Sequence, residues 1–93
     1  MSAVEIEQTL LTHPLVVEAA VVGVPDALRG QVVKAYIVTP TPTADTRTHI
    51  QAFMKVQLNQ HEYPQQIEFV TELPRTPAGK INRRALQSKS PSP

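Results

Sequence analysis

Hydrophobic and polar positions change rhythm several times along the chain. Ile6, Leu10 and Leu11 recur at helical spacing, and Ser2 with Glu5 three residues on makes a capping-box pattern, which predicts a helix of about two to three turns. His13-Pro14 closes it, because the residue before proline avoids the helical region. Leu15 to Val24 (L-V-V-E-A-A-V-V-G-V) is crowded with β-branched residues and reads as a strand covered on both faces. Pro25 to Gly30 (P-D-A-L-R-G) has the composition of a turn. Val32 to Val38 alternates, with Val33, Ala35 and Ile37 on one face and Lys34 and Tyr36 on the other. The short connection predicts that these two strands pair as an antiparallel hairpin, and Pro40 and Pro42 end the second.

Asp45 or Thr46 is then placed to cap a second helix whose apolar stripe is Ile50, Phe53, Met54 and Leu58. Tyr63-Pro64 breaks that element, and Ile67 to Val70 reads as a short third strand. Asn82 can cap a last helix that makes its apolar contacts through Ala85 and Leu86, and from Ser88 the tail S-K-S-P-S-P reads as disordered. The order α-β-β-α-β-loop-α predicts an α+β fold, a small three-stranded sheet packed with two to three helices over residues 1–87, with a tail at 88–93. A sheet of this size is marginal alone, which favours a domain that rests against something larger.

One stretch breaks all these rhythms: Leu73 to Arg84, L-P-R-T-P-A-G-K-I-N-R-R. Pro74, Pro77 and Gly79 argue against regular structure from 74 to 79 and predict an extended loop. Lys80 stands at its end, followed by Ile81, an apolar residue able to pin it to a core. A solvated basic turn and an ammonium presented to an anion are both open from these residues alone. A phosphate-cradling P-loop is excluded, because Pro74 occupies the first glycine position and Ile81 the position of the metal-binding hydroxyl.

Composition adds limits. Hydrophobic residues make up 41% and charged residues 18% of the 93, ordinary for one small globular domain. With no cysteine there is neither a disulfide framework nor a thiolate metal site, which suits the cytosol, and a cytoplasmic location is expected. No apolar run is long enough to span a bilayer, and no secretory signal is visible after Met1.

The net charge of +1 hides an asymmetry: residues 75–93 carry Arg75, Lys80, Arg83, Arg84 and Lys89 and no acid, on an otherwise acidic body. Nucleic-acid binding is disfavoured because the four aromatics lie upstream of that basic end, among apolar residues. The scattered histidines His13, His49 and His61 form no metal or catalytic cluster, and each reads as structural or exposed.

Two long segments carry a resemblance. V-E-I-E-x-x-L-L-x-H-P-L-V-V-E-A-A-V-V-G-V-P-D-x-L-R-G-x-V-V-K-A-Y-I-V and, further on, H-E-Y-P-x-x-I-E-F-V-x-E-L-P-R-T-P-A-G-K-I-N-R-R closely resemble the C-terminal domain of AMP-forming acyl-CoA synthetases, in the adenylate-forming superfamily. The likeness runs from Val4 to Leu86, and its H-E-Y-P segment (His61 to Pro64) is most similar to acetyl- and medium-chain acyl-CoA synthetases.

The resemblance implies a lid domain of an ATP-dependent acid–CoA ligase. Such enzymes use Mg·ATP to turn a carboxylic acid into an acyl-adenylate, then pass the acyl group to CoA. Lys80 matches the family's catalytic lysine, and Pro74, Thr76, Pro77 and Gly79 match the loop that positions it. Arg29 and Lys55 match positions that can contact the CoA nucleotide. The implied partner is the large N-terminal domain of the same enzyme, with CoA and acyl-AMP at the interface. ATP, CoA and Mg²⁺ belong to the whole enzyme, with no metal site here and none of them held by this domain alone.

Some features depart from the family pattern. Its hinge residue and the glycine-rich segment after it lie upstream of Met1, Ala3 stands where proline is common, and Gln31 where glutamate is common. Without the ATP- and acid-binding domain, the 93 residues are expected to be inactive. The alternative from a different class is a stand-alone, non-catalytic binding module that docks on a partner chain.

Overall fold

In the computed structural model, which describes residues 3–26, 28, 30–58, 64 and 66–89, six elements follow one another. They are α1 (Ala3–Leu11), β1 (Glu18–Asp26), β2 (Gly30–Val38), α2 (Ala44–Gln57), β3 (Gln66–Phe69) and α3 (Arg83–Lys89). β1 and β2 form the expected antiparallel hairpin, in register from Glu18 opposite Val38 to Asp26 opposite Gly30. β3 lies parallel to the other side of β2, with Ala35 opposite Ile67 and Ile37 opposite Phe69. The sheet is therefore mixed, in the order β1-β2-β3, and α2 is the crossover that a parallel neighbour requires.

The period-two alternation of β1 and β2 divides the molecule into layers. Ala19, Val21, Ala35 and Ile37 face α1 and α2, where Ile6, Leu10, Ile50, Met54 and Leu58 complete one core. Ala20, Val22, Val24, Val32 and Tyr36 face the other way and are covered by Leu73, Ile81 and Leu86. This is why β1 carries β-branched or small residues on both faces. The Tyr36 hydroxyl, fully buried, donates to the Leu86 carbonyl of α3 at 3.3 Å.

Several element boundaries differ from the sequence reading. β1 starts at Glu18 because residues 12–16 are taken up by tight turns, with His13 N–H bonded to the Leu10 carbonyl and Val16 N–H to that of His13. It then runs on through Pro25 and Asp26, which the composition had assigned to a turn. Pro25 is tolerated because it shares the parity of Val21, whose N–H points away from β2, so its missing donor falls on the sheet edge. Gly30 opens β2 at φ +80, a left-handed conformation that favours glycine.

α1 buries Ile6, Glu7 and Leu10, whereas Leu11, expected on the apolar face, is exposed. The cap of α2 is Thr43, neither Asp45 nor Thr46: its Oγ1 accepts the Thr46 N–H at 3.2 Å from an extended backbone. Asp45 falls in the first turn, and Thr46 is buried. Asn82 does cap α3, its Oδ1 accepting the Ala85 N–H at 3.1 Å. α3 continues to Lys89, into the stretch read as tail. Ser2, Tyr63 and the tail beyond Lys89 lie outside the described residues.

Candidate functional site

Residues 74–82 do not form the extended loop that two prolines and a glycine predict. They fold back as a small hairpin on the face of the sheet that carries α3. Asn82 N–H donates to the Pro74 carbonyl at 2.8 Å, Arg75 bridges to Ile81, and Thr76 N–H donates to the Lys80 carbonyl at 2.7 Å. The tip is a β-turn, Thr76-Pro77-Ala78-Gly79, closed by Gly79 N–H to the Thr76 carbonyl at 2.8 Å. Proline second and glycine fourth suit a type I turn, and the absence of positive φ at Ala78 excludes type II. Gly79, at φ +85, then makes the left-handed step that returns the chain to pairing. Pro and Gly thus marked the break in regular structure, but not the bonds across the hairpin that close it.

Two apolar residues pin the arms of this hairpin: Leu73 is buried and Ile81 packs half-buried against the same core. Alternation then turns Lys80 outward, and it is exposed. Its backbone N–H reaches the Thr76 hydroxyl at 3.3 Å, while its ammonium has no hydrogen-bond or ion-pair partner among the described residues. Pro74, Thr76, Gly79 and Lys80 are therefore one hydrogen-bonded unit, with Pro77 at its exposed tip.

The other cations of the basic end are differently employed. Arg75 donates through Nη1 to the Gly79 carbonyl at 3.1 Å, and its Nη2 pairs with the Glu18 carboxylate at the start of β1. Arg83 is committed to Glu7: Nε donates to Oε2 at 2.9 Å, and Nη2 pairs with Oε1. That hydrogen bond, against the opposing effect of burial, raises the Arg83 pKa above its usual value. In the sequence Arg83 and Arg84 both fall in the basic end; Arg84 is exposed, but Arg83 faces inward onto a buried carboxylate.

Lys34 is similarly engaged, 3.0 Å from Glu68 Oε1 and 4.8 Å above the Tyr36 ring. Burial disfavours its charge, but Glu68 and Tyr36 outweigh that and raise its pKa. Glu18 and Glu7 thus neutralise Arg75 and Arg83, while no carboxylate among the described residues pairs with Lys80.

Lys55 is exposed in the last turn of α2. Since α2 packs on the opposite face of the sheet from the hairpin, Lys55 and Lys80 are not brought together. Arg29 lies outside the described residues. His13 is structural: its ring meets Phe53 edge-on at 5.0 Å, and its Nδ1 accepts the Leu15 N–H at 3.1 Å. Burial, and secondarily the charge of His49, lowers its pKa. Among the described residues, no three His, Asp or Glu come together as a metal site, and no helix is long and apolar enough to cross a membrane.

Known proteins place this architecture. Residues 5–80 match the family described as AMP-binding enzyme C-terminal domain, a match that ends on Lys80. The 4-hydroxybutyrate–CoA ligase 1 of Metallosphaera sedula is 49% identical over 88 residues, covering 91% of this chain and 16% of that protein. Human mitochondrial acyl-coenzyme A synthetase ACSM1 is 44% identical over 93 residues, with the same coverage of 91% and 16%. The crystal structure of Brucella canis acyl-CoA synthetase superposes with a TM-score of 0.89 at 44% identity, over 96% of this chain and 17% of that one. The chain spans about 16% of the length of the curated relatives it matches. With sequence, fold and order of elements in agreement, the chain belongs to the AMP-binding enzyme C-terminal domain family of acyl-CoA synthetases and ligases.

Proposed function

We propose that this domain works as the lid of an ATP-dependent acid–CoA ligase and that Lys80 is its catalytic residue in acyl-adenylate formation. The observation that carries the reading is the contrast between Lys80 and its neighbours: Arg75 and Arg83 are neutralised within the domain, while the Lys80 ammonium stands exposed on a closed turn. In the adenylation step a carboxylate attacks the α-phosphate of ATP and pyrophosphate leaves. Two anions must approach, and negative charge gathers on the phosphate oxygens. A compact ammonium on a flexible stem, delivered between the carboxylate and phosphate oxygens, stabilises that arrangement. The turn sets where the stem begins, through the bonds of Thr76, Gly79 and Pro74.

The pockets for acid and ATP, and the groups that meet Mg²⁺, would belong to the large partner domain, so this chain alone would complete neither half-reaction. The opposite face of the sheet, with Lys55 on α2, is the CoA-facing candidate, and Arg29 is kept as a second candidate on its match to the family's sequence. Presenting one face for adenylation and the other for thioester formation matches the separation of Lys80 from Lys55 across the sheet.

The test is a graft. In the Brucella canis synthetase, the C-terminal segment is replaced by this chain, with the truncated synthetase and the isolated chain as controls. The graft should restore acyl-CoA formation that neither control supports. A folded but inactive graft would contradict the reading.

A further inference from the structure

We propose that Arg75 is the positioning residue of Lys80 and that Glu18 is its anchor on the sheet, an inference that rests on the role given to Lys80 above. One planar guanidinium joins three parts of the molecule. Nη1 holds the carbonyl of Gly79, the peptide group that carries the Lys80 nitrogen, at 3.1 Å. Nη2 holds the Glu18 carboxylate, 57 residues earlier in the chain and on the same face of β1 as Ala20 and Val22.

The other bonds of the hairpin do something different. Asn82 to Pro74 closes its base, and the three bonds between Thr76 and residues 79–80 fix the shape of its tip. These leave the tilt of the tip relative to the sheet unset, because a hairpin pinned at its base by Leu73 and Ile81 can still pivot. The Gly79–Arg75–Glu18 chain of contacts is the strut that sets it.

Arginine suits this task and lysine would suit it less. The guanidinium presents donors in a rigid fork, so two acceptors are held at a defined separation, whereas an ammonium is a point charge. The pair is half-exposed, with side-chain accessibilities of 46% for Arg75 and 35% for Glu18, so little fold stability rests on it. Its effect should therefore appear in how well the Lys80 stem is aimed. Displacing a catalytic group by an ångström can lower a rate about a hundredfold.

Two measurements decide it. In the grafted ligase, Arg75→Ala and Glu18→Gln should lower the turnover of ATP–pyrophosphate exchange about tenfold to a hundredfold. KM for acid and ATP, and acyl transfer from preformed acyl-AMP to CoA, should be unchanged; Arg75→Lys should recover part of the loss. In the 93-residue chain, hydrogen exchange at the Gly79 and Thr76 amides should quicken about tenfold in Arg75→Ala while the β1–β2 amides keep their protection. Adenylation unaffected by Arg75→Ala but abolished by Lys80→Ala would overturn the proposal, as would unchanged exchange at both turn amides. If Lys80→Ala itself left adenylation intact, the catalytic role of the lysine would fall, and the exchange measurement would still decide whether Arg75 anchors the turn.

Discussion

Arg83 and Glu7 meet across the outer edge of β1, although 76 residues separate them in sequence. Glu7 comes from α1 on one face of the sheet, and Arg83 from α3 on the other. Between them, the same carboxylate accepts the Val21 N–H at 2.7 Å, one of the donors that β1 turns outward. Gln87 donates its side-chain N–H to the Gly23 carbonyl on the same edge, at 3.3 Å. The pair thus closes an edge that would otherwise offer pairing groups to another chain, and clamps the two helical layers together.

Removing the carboxylate should be costly, because it strands a backbone donor and a guanidinium at once. Glu7→Ala is expected to lose about 3 kcal/mol in urea unfolding, and Glu7→Gln less, since its amide oxygen still accepts from Val21. A neutral Glu7→Ala would contradict the clamp.

The cap of α2 is Thr43, two residues before the Asp45 that the sequence offered for that role. Thr43→Ala should cost about 1 kcal/mol of unfolding free energy, with Thr43→Ser close to wild type. Asp45→Ala should lose only about 0.5 kcal/mol, the worth of an acid in a first helical turn. The reverse order, read from paired denaturation curves, would mean that the helix begins later than Ala44.

Gly79 tests the turn without touching its contacts. A Cβ built there meets nothing within 4 Å, so any cost of Gly79→Ala comes from the left-handed backbone at φ +85. About 1 kcal/mol is expected, and less for Gly79→Asn, whose side chain tolerates that region better. Equal effects of the two in thermal melts would point away from a conformational cause.

What could be read from the sequence was what depends on neighbours along the chain. The doubly covered β1, the Ile50-Met54-Leu58 stripe and the Asn82 cap all follow from local spacing. The partnerships of Glu7, Arg75 and Arg83 span 57 to 76 residues, and nothing local distinguishes Glu7 from a solvated acid on an amphipathic helix. The parallel docking of β3 is likewise a tertiary event, and the pairing of the two arms of the 74–82 hairpin needs bonds that no period in the sequence announces. For the candidate site, residue types and order were legible, but the commitment of Arg83 inward and the placement of Lys55 on the opposite face were not.

His13 makes stability depend on pH. Folding lowers its pKa below 6.5, first through burial and then through the charge of His49. The unfolded chain therefore takes up a proton where the folded one does not, so His13 stabilises the fold fully above about pH 6.5 and progressively less as the pH falls through that value. Thermal melts between about pH 7.5 and 5 should show this decline. His13→Asn, which can still accept from Leu15, should flatten it; an unchanged slope in that variant would assign the effect to another group.

The central claim is the delivery of one ammonium to one half-reaction. It is tested most directly by measuring both half-reactions of a ligase carrying this domain with Lys80→Ala. Acyl-adenylate formation, followed by ATP–pyrophosphate exchange, should fall by about 10²–10³-fold, while transfer of the acyl group from supplied acyl-AMP to CoA largely survives. Equal losses in the two steps, or none in the first, would contradict it.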